Sequence, residues 1–191
     1  PAKLPELVTG GMRAGLVGNE KQRVMYKHKP DAINVNDLLA WLRGLAGPRL
    51  LIVNTVQSAA VIAKSIQAAD GKGKVEHLST ALMSLDREKT LARVKARLRQ
   101  HQDRPDEAEF ADWTLVATSC VEAGVDLSFR TGLRESASLV SLIQVGGRVN
   151  RHQEFGQSEV WTFTLQETDL LRLHPGFKDS TKVHETMFAE G

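Results

Sequence analysis

A chain of 191 residues, 41% hydrophobic and 25% charged, has enough apolar mass for one buried domain, and no apolar run approaches the ~20 residues that a helical membrane span requires. A formal net charge of +2 argues neither for nor against nucleic acid, because a local phosphate-binding track can sit on a nearly neutral domain. The single cysteine, Cys120, excludes an internal disulfide and suits a reducing cytoplasm, which is the location expected.

The segment 1–33 is rich in Gly, Pro and Lys/Arg, with only RVMY as a weak strand, and reads as an arm or linker from a preceding domain. Its first residue is Pro1, which fits a piece excised from something longer. From Asn34 the texture changes. NVNDLLAWLRGLAG offers an Asn cap and apolar residues at helical spacing, closed by Gly47-Pro48. LLIVN, Leu50 to Asn54, is a continuous apolar strand, followed by the amphipathic helix VQSAAVIAKSIQAAD closed by Gly71.

The strand-helix unit then repeats. KVEHLS is a short strand, and SLDREKTLARVKARLRQ is a charged helix with Ser84 as its expected cap. The stretch from His101 to Asp112 reads as a surface loop, TLVATS as a third strand, VDLSF as a fourth, SLVSLIQVGGRVNRH as a helix and EVWTFTL as the last strand. Alternation of this kind predicts an α/β fold: a mainly parallel sheet with helices on both faces, over residues 34–165, with 166–191 as a C-terminal extension.

In such a sheet ligands gather where strands end, and three strand ends are polar: Asn54-Thr55, Ser79-Thr80 and Thr118-Ser119. Small hydroxyl and amide groups there suit phosphate oxygens, and equally serve as helix caps. In ATSCVEAGVDL, Gly124 permits close backbone approach and Asp126 places a carboxylate where a ribose hydroxyl could be met; a tight turn with a capping Asp is the alternative. If Leu139 to His152 is helical, Gln144, Arg148 and Arg151 share one face. Two guanidiniums one turn apart suit a phosphate chain or paired carboxylates, and the pair Gly146-Gly147 inside a helix calls for a close neighbour.

No G-x-x-x-x-G-K-[ST] loop occurs, and no apolar strand ends in paired acidic residues fit for Mg²⁺. The chain therefore reads as half of a nucleotide site. The histidines lack ligand spacing, so no metal site is expected, and Cys120 reads as a packed thiol rather than a nucleophile.

LLIVNT resembles motif IV, VATSCVEAGVDL motif V, and QVGGRVNR the Q-x-x-G-R-x-x-R pattern of motif VI in the second RecA-like domain of superfamily 2 helicases. Within that superfamily, HLST followed by DR, EAGVD and GRVNR together resemble the CRISPR-associated helicase-nucleases of type I interference systems. The resemblance runs from Leu50 to Leu165 and departs from the family at Val145, where arginine or alanine is usual.

It implies a RecA-like three-layer sandwich that works as the C-terminal motor half of an ATP-dependent DNA helicase or translocase. Arg148 and Arg151 would reach the ATP phosphates as arginine fingers, Gln144 would organise the cleft, and Gly124 and Asp126 would sit near the nucleotide. Asn54, Thr55, Thr80, Thr118 and Ser119 would line the track of the single-stranded DNA backbone. The first RecA-like domain of the same parent would hold most of the ATP and Mg²⁺, so this chain alone is expected to be inactive. A CRISPR effector complex is the expected protein partner, no membrane is expected, and the family's HD nuclease domain is not in this chain. Half of an RNA helicase or restriction-type translocase, and a non-catalytic nucleic-acid-binding module, are the alternatives.

Overall fold

The computed structural model of the chain describes residues 10–121, 126–171 and 176. Its elements in order are α1 (Gly10–Arg23), β1 (Val24–His28), α2 (Val35–Gly44), β2 (Arg49–Ile52), α3 (Val56–Asp70), β3 (Val75–Leu78), α4 (Ser84–Asp103), α5 (Ala108–Ala111), β4 (Thr114–Ala117), β5 (Thr131–Glu135), α6 (Leu139–Gly146) and β6 (Ser158–Phe163). The strands form one sheet in the order β1-β6-β5-β2-β4-β3, every neighbouring pair parallel. All six carboxyl ends therefore lie on one edge.

Side-chain alternation along β2 divides the core. Leu50 and Ile52 face one way, joining Val94 and Leu98 of α4 and Leu142 and Val145 of α6. Leu51 and Val53 face the other way, joining Leu38, Leu39 and Leu42 of α2 and Ile62 and Ile66 of α3. Central strands buried on both faces are why LLIV is apolar throughout rather than alternating. The three-layer α/β sandwich expected from the sequence is the observed fold. Among the described residues, no helix is long and apolar enough to cross a membrane.

Helix starts follow local chemistry where the cap is a side chain. Asn34 Oδ1 accepts from the Asp37 N–H at 2.9 Å to open α2, and Thr55 Oγ1 accepts from the Ser58 N–H at 3.0 Å to open α3. Gly71 closes α3 at φ 99°, a conformation that favours glycine.

The structure departs from the sequence reading in six places. The segment expected as an arm holds the helix α1, and the stretch from His101 to Asp112, expected as a surface loop, holds the end of α4 and all of α5, with His101 buried. Val24–His28, expected as a weak strand in an arm, is the edge strand of the sheet, paired along its length with β6. Ser84 is the first helical residue of α4 and not its cap; Met83 holds that place without a side-chain bond. The fourth strand is Thr131–Glu135 rather than VDLSF, of which Phe129 makes one isolated bridge, to Val149.

The last departure is the helix expected from Leu139 to His152, which ends at Gly146. Two glycines with poor helix propensity stand at its end, and the chain beyond is captured by another segment. The Phe129 N–H donates to Arg148 O and the Asn150 N–H to Phe129 O, both at 2.8 Å, and Asn150 turns into the left-handed region at φ 47°. Gln144, Arg148 and Arg151 are thus not three points on one helical face.

Candidate functional site

The strand edge and the α6 turn carry the predicted residues in two groups. Along the carboxyl edge, β2, β4 and β3 are adjacent, so Asn54-Thr55, Thr118-Ser119 and Ser79-Thr80 follow one another over three neighbouring strands, about 10 Å at the usual strand spacing. Thr80 and Ser119 are exposed there. Thr118 is buried, with its hydroxyl 3.5 Å from Cys120 Sγ, and Thr55 is committed to Ser58 as a cap. Cys120 itself donates toward Leu78 O at 3.7 Å, in keeping with a packed thiol.

Asn54 is held on every side. Its amide N–H donates to Glu135 Oε2 at 2.7 Å, its Nδ2 donates to Ser136 O at 2.9 Å, and its Oδ1 accepts from Arg134 Nη1 at 2.6 Å. Arg134 and Glu135 are both 2% exposed. Burial pushes the Glu135 carboxyl above its ordinary value, against the opposing pull of the Asn54 N–H and the Arg134 charge. Asn54 thereby serves the edge as scaffold. Sequence reasoning passed over Arg134 and Glu135; the signal was a charged pair inside TGLRES, a segment between two polar strand ends.

The second group lies away from that edge. α6 starts at the carboxyl end of β5 and runs back along it, delivering Arg148 beside Phe129, just ahead of the first residue of β5. Arg151 Nε lies 3.3 Å from Asp126 Oδ1, and His152 Nε2 lies 3.8 Å from the same oxygen. Arg151 and Asp126 are both exposed, while Arg148 is partly buried. Burial lowers the Arg148 pKa below its ordinary value, the neighbouring Arg151 charge adds to the effect, and Asp126 opposes it. The structure brings Arg148, Arg151 and Asp126 together as a cationic group with one carboxylate. Gln144 is exposed in the last turn of α6, and Gly124 lies outside the described residues.

The glycine pair divides in role. A Cβ on Gly146 would fall 2.0 Å from Tyr26 Oη of β1, which is the close neighbour the pair called for. A Cβ on Gly147 would meet nothing nearer than a carbonyl of its own helix at 3.4 Å. Gly147 serves as the helix C-cap. Among the described residues no cluster of three or more His, Cys, Asp or Glu is placed to hold a metal ion.

The model of the family described as CRISPR-associated nuclease/helicase Cas3, C-terminal, matches residues 46–154. A CRISPR-associated nuclease/helicase Cas3 from Haloferax volcanii is 44% identical over 59 residues, 30% of this chain and 6% of that protein. The crystal structure of T. fusca Cas3 with AMPPNP aligns with 100% of this chain and 23% of its own, at a TM-score of 0.68 and 16% identity. A chain of a CRISPR RNA-guided surveillance complex in a pre-nicking state aligns with 88% of this chain and 22% of its own, at a TM-score of 0.63 and 17% identity. The C-terminal domain of the DEAD-box protein Dbp5 aligns with 91% of this chain and 88% of its own, at a TM-score of 0.56 and 16% identity.

At such identities the structural likeness is one of fold, and the chain spans 23% of the T. fusca Cas3 chain and 6% of the Haloferax volcanii protein. The family match rests instead on the sequence, over more than half of the chain, and takes in both the carboxyl-edge residues and the Arg148–Arg151 turn. The chain belongs to the Cas3-like C-terminal family of CRISPR-associated nuclease/helicases.

Proposed function

We propose that this chain is the C-terminal motor domain of an ATP-dependent DNA helicase or translocase of CRISPR interference. The observation that carries the reading is the grouping of Arg148, Arg151 and Asp126 at the α6 turn, apart from the hydroxyl edge. Phosphate chemistry and strand gripping thus have separate places on one rigid sheet. Arg148 and Arg151 reach the ATP phosphates as arginine fingers, Asp126 meets the nucleotide's ribose, Gly124 serves the same nucleotide as its motif implies, and Gln144 helps to organise the cleft. The chain has no phosphate-cradling G-x-x-x-x-G-K-[ST] loop, so the nucleotide and its Mg²⁺ are held mainly by a first RecA-like domain. The Cas3 structure with AMPPNP supports a nucleotide, and the surveillance complex supports a CRISPR effector as partner.

Guanidiniums delivered only when two domains close stabilise the transferring phosphoryl group, an effect of about 10³–10⁵ in rate where it has been dissected. Closure and turnover become one event. The exposed Thr80 and Ser119 hydroxyls grip the single-stranded DNA backbone, with Thr118, Thr55 and Asn54 shaping the edge beneath them. Backbone contacts of this kind carry no sequence preference, as translocation demands.

The test is steady-state ATP turnover on single-stranded DNA, by the chain alone and mixed with the separately made preceding domain of its parent. Silence alone with activity on mixing is expected, and loss of that activity in R151A at unchanged melting temperature. Turnover by the chain alone refutes the shared site. Activity on RNA but not DNA moves the reading to an RNA helicase.

A further inference from the structure

The turn that carries Arg151 is not held by helix bonds, so something else must fix it. The Arg151 N–H donates to Ser128 Oγ at 3.1 Å, and Ser128 Oγ–H donates onward to Glu154 Oε2 at 3.2 Å. Glu154 Oε1 also accepts from Gln102 Nε2 in the last turn of α4. The Ser128 hydroxyl both accepts and donates in this chain of bonds, and the Glu154 carboxylate accepts at both oxygens. Ser128 is buried and Glu154 is exposed.

We infer that Glu154 is a positioning residue for Arg151: through Ser128 it clamps the backbone from which the arginine projects, and through Gln102 it ties that backbone to α4. The inference rests on the reading of Arg151 as a phosphate-reaching group. Glu154 bonds to Ser128 and Gln102 and not to a reacting group of its own. It acts by fixing where the guanidinium starts.

The second attachment gives the clamp a reach. α4 begins just past Thr80 at the strand edge and runs for 20 residues, about 30 Å at helical rise, to the neighbourhood of Glu154. A displacement of the strand-gripping edge is thereby transmitted to the backbone of Arg151 by a rigid element and three hydrogen bonds. Behind Glu154 the turn is firm: Asn150, 1% exposed, donates from Nδ2 to Gly156 O at 2.8 Å and accepts at Oδ1 from the Phe155 N–H at 3.0 Å, and the Phe155 ring stacks on His101 of α4. Removing Glu154 frees Arg151 without unmaking that support.

The experiment uses the full-length protein, with E154A, E154Q, S128A and R151A compared for ATP turnover at saturating single-stranded DNA and for melting temperature. A small misplacement of a reacting group costs up to about 10²-fold in rate, so E154A is expected to lower kcat by about ten-fold with KM for ATP changed by less than about two-fold. S128A should behave like E154A. E154Q keeps an acceptor for Ser128 while Gln102 can turn its own carbonyl toward the new amide, so it should recover most of the loss. An inactive R151A beside a fully active E154A overturns the clamp and leaves the proposed function standing. An active R151A overturns both. A fall in melting temperature with KM rising in step makes Glu154 merely structural and also overturns the inference.

Discussion

Gly132 lies in the middle of the contact between β5 and the α6 turn, and an added methyl there has nowhere to go. A Cβ at this position would fall 2.7 Å from Val149 Cγ2 and 2.9 Å from Val145 Cγ1, with Val160 Cγ2 at 3.4 Å. All three valines are fully buried, so none can swing into solvent. Gly132→Ala is therefore overpacking in a closed core, a class of change that costs about 1–3 kcal/mol. For a chain of this size each kcal/mol moves the melting temperature by about 2–4 °C, which predicts a fall of about 6 °C for a 2 kcal/mol cost. Urea unfolding followed by circular dichroism gives the free energy directly. V149A alone opens a cavity, but in G132A/V149A the new methyl fills the space that Cγ2 left, so the two costs should sum to less than their separate values by at least about 1 kcal/mol. Additive costs, or a G132A protein as stable as the parent, would refute the packing argument. Because Val149 adjoins Arg148, G132A should also reduce turnover of the full-length protein more than its stability loss explains.

Asn54→Ala removes an acceptor from the buried Arg134 guanidinium and should cost about 1.5–3 kcal/mol in urea unfolding, the range for hydrogen bonds to charged groups. Its affinity for single-stranded DNA, measured by fluorescence anisotropy below the melting transition, should stay within about two-fold of the parent, since both ends of the side chain are already taken. T80A and S119A should show the reverse: unchanged melting temperature, with affinity down by a few-fold each, at about 0.5–1.5 kcal/mol per hydrogen bond. Burial alone would raise the Asp112 carboxyl, but hydrogen bonds and charge from Lys74 and Arg49 outweigh it and hold it below its ordinary value. A lowered folded-state pKa stabilises above the unfolded value and is lost as pH falls through the folded one, so the parent should lose more stability than D112N between neutral pH and about pH 3. Glu135, raised by burial, runs in the opposite sense, which is why D112N rather than the bare pH curve isolates the effect.

How far the sequence could be read depended on how local each feature is. β2 and β4 announce themselves as short apolar runs with polar ends, and the caps Asn34 and Thr55 need only their own helices. Motif spacing likewise pointed to Arg148, Arg151 and Asp126, which the fold groups. What failed to show depends on a distant partner. β1 shows in the sequence only as the weak strand RVMY, and its place in the sheet comes from β6 beside it, about 130 residues away. α6 stops at Gly146 because Phe129 captures the backbone beyond it, a competition invisible to a helical wheel. Asn54 reads as a ligand group at a strand end until Arg134, Glu135 and the Ser136 carbonyl, at and just past the end of β5, use all of it.

The Asp126–Arg151 pair invites a reading as a lock that nucleotide must break, and its magnitude decides against that. Asp126 is 68% exposed and Arg151 42%, and an ion pair so open to solvent is worth about 0–1 kcal/mol. At 1.4 kcal/mol per ten-fold, breaking it lowers nucleotide affinity by no more than about five-fold. A gate needs several times that energy to hold a state closed. Under the proposed function the pair instead keeps the guanidinium near the turn until a phosphate displaces it, since two oxygens of a phosphate chain can each accept from an arginine where one carboxylate oxygen stands now. What fixes the timing of the arginine must therefore lie in its backbone rather than in its side-chain partner. That backbone is tied to α4 by Ser128 and Glu154, and α4 begins at the edge where the strand would be gripped.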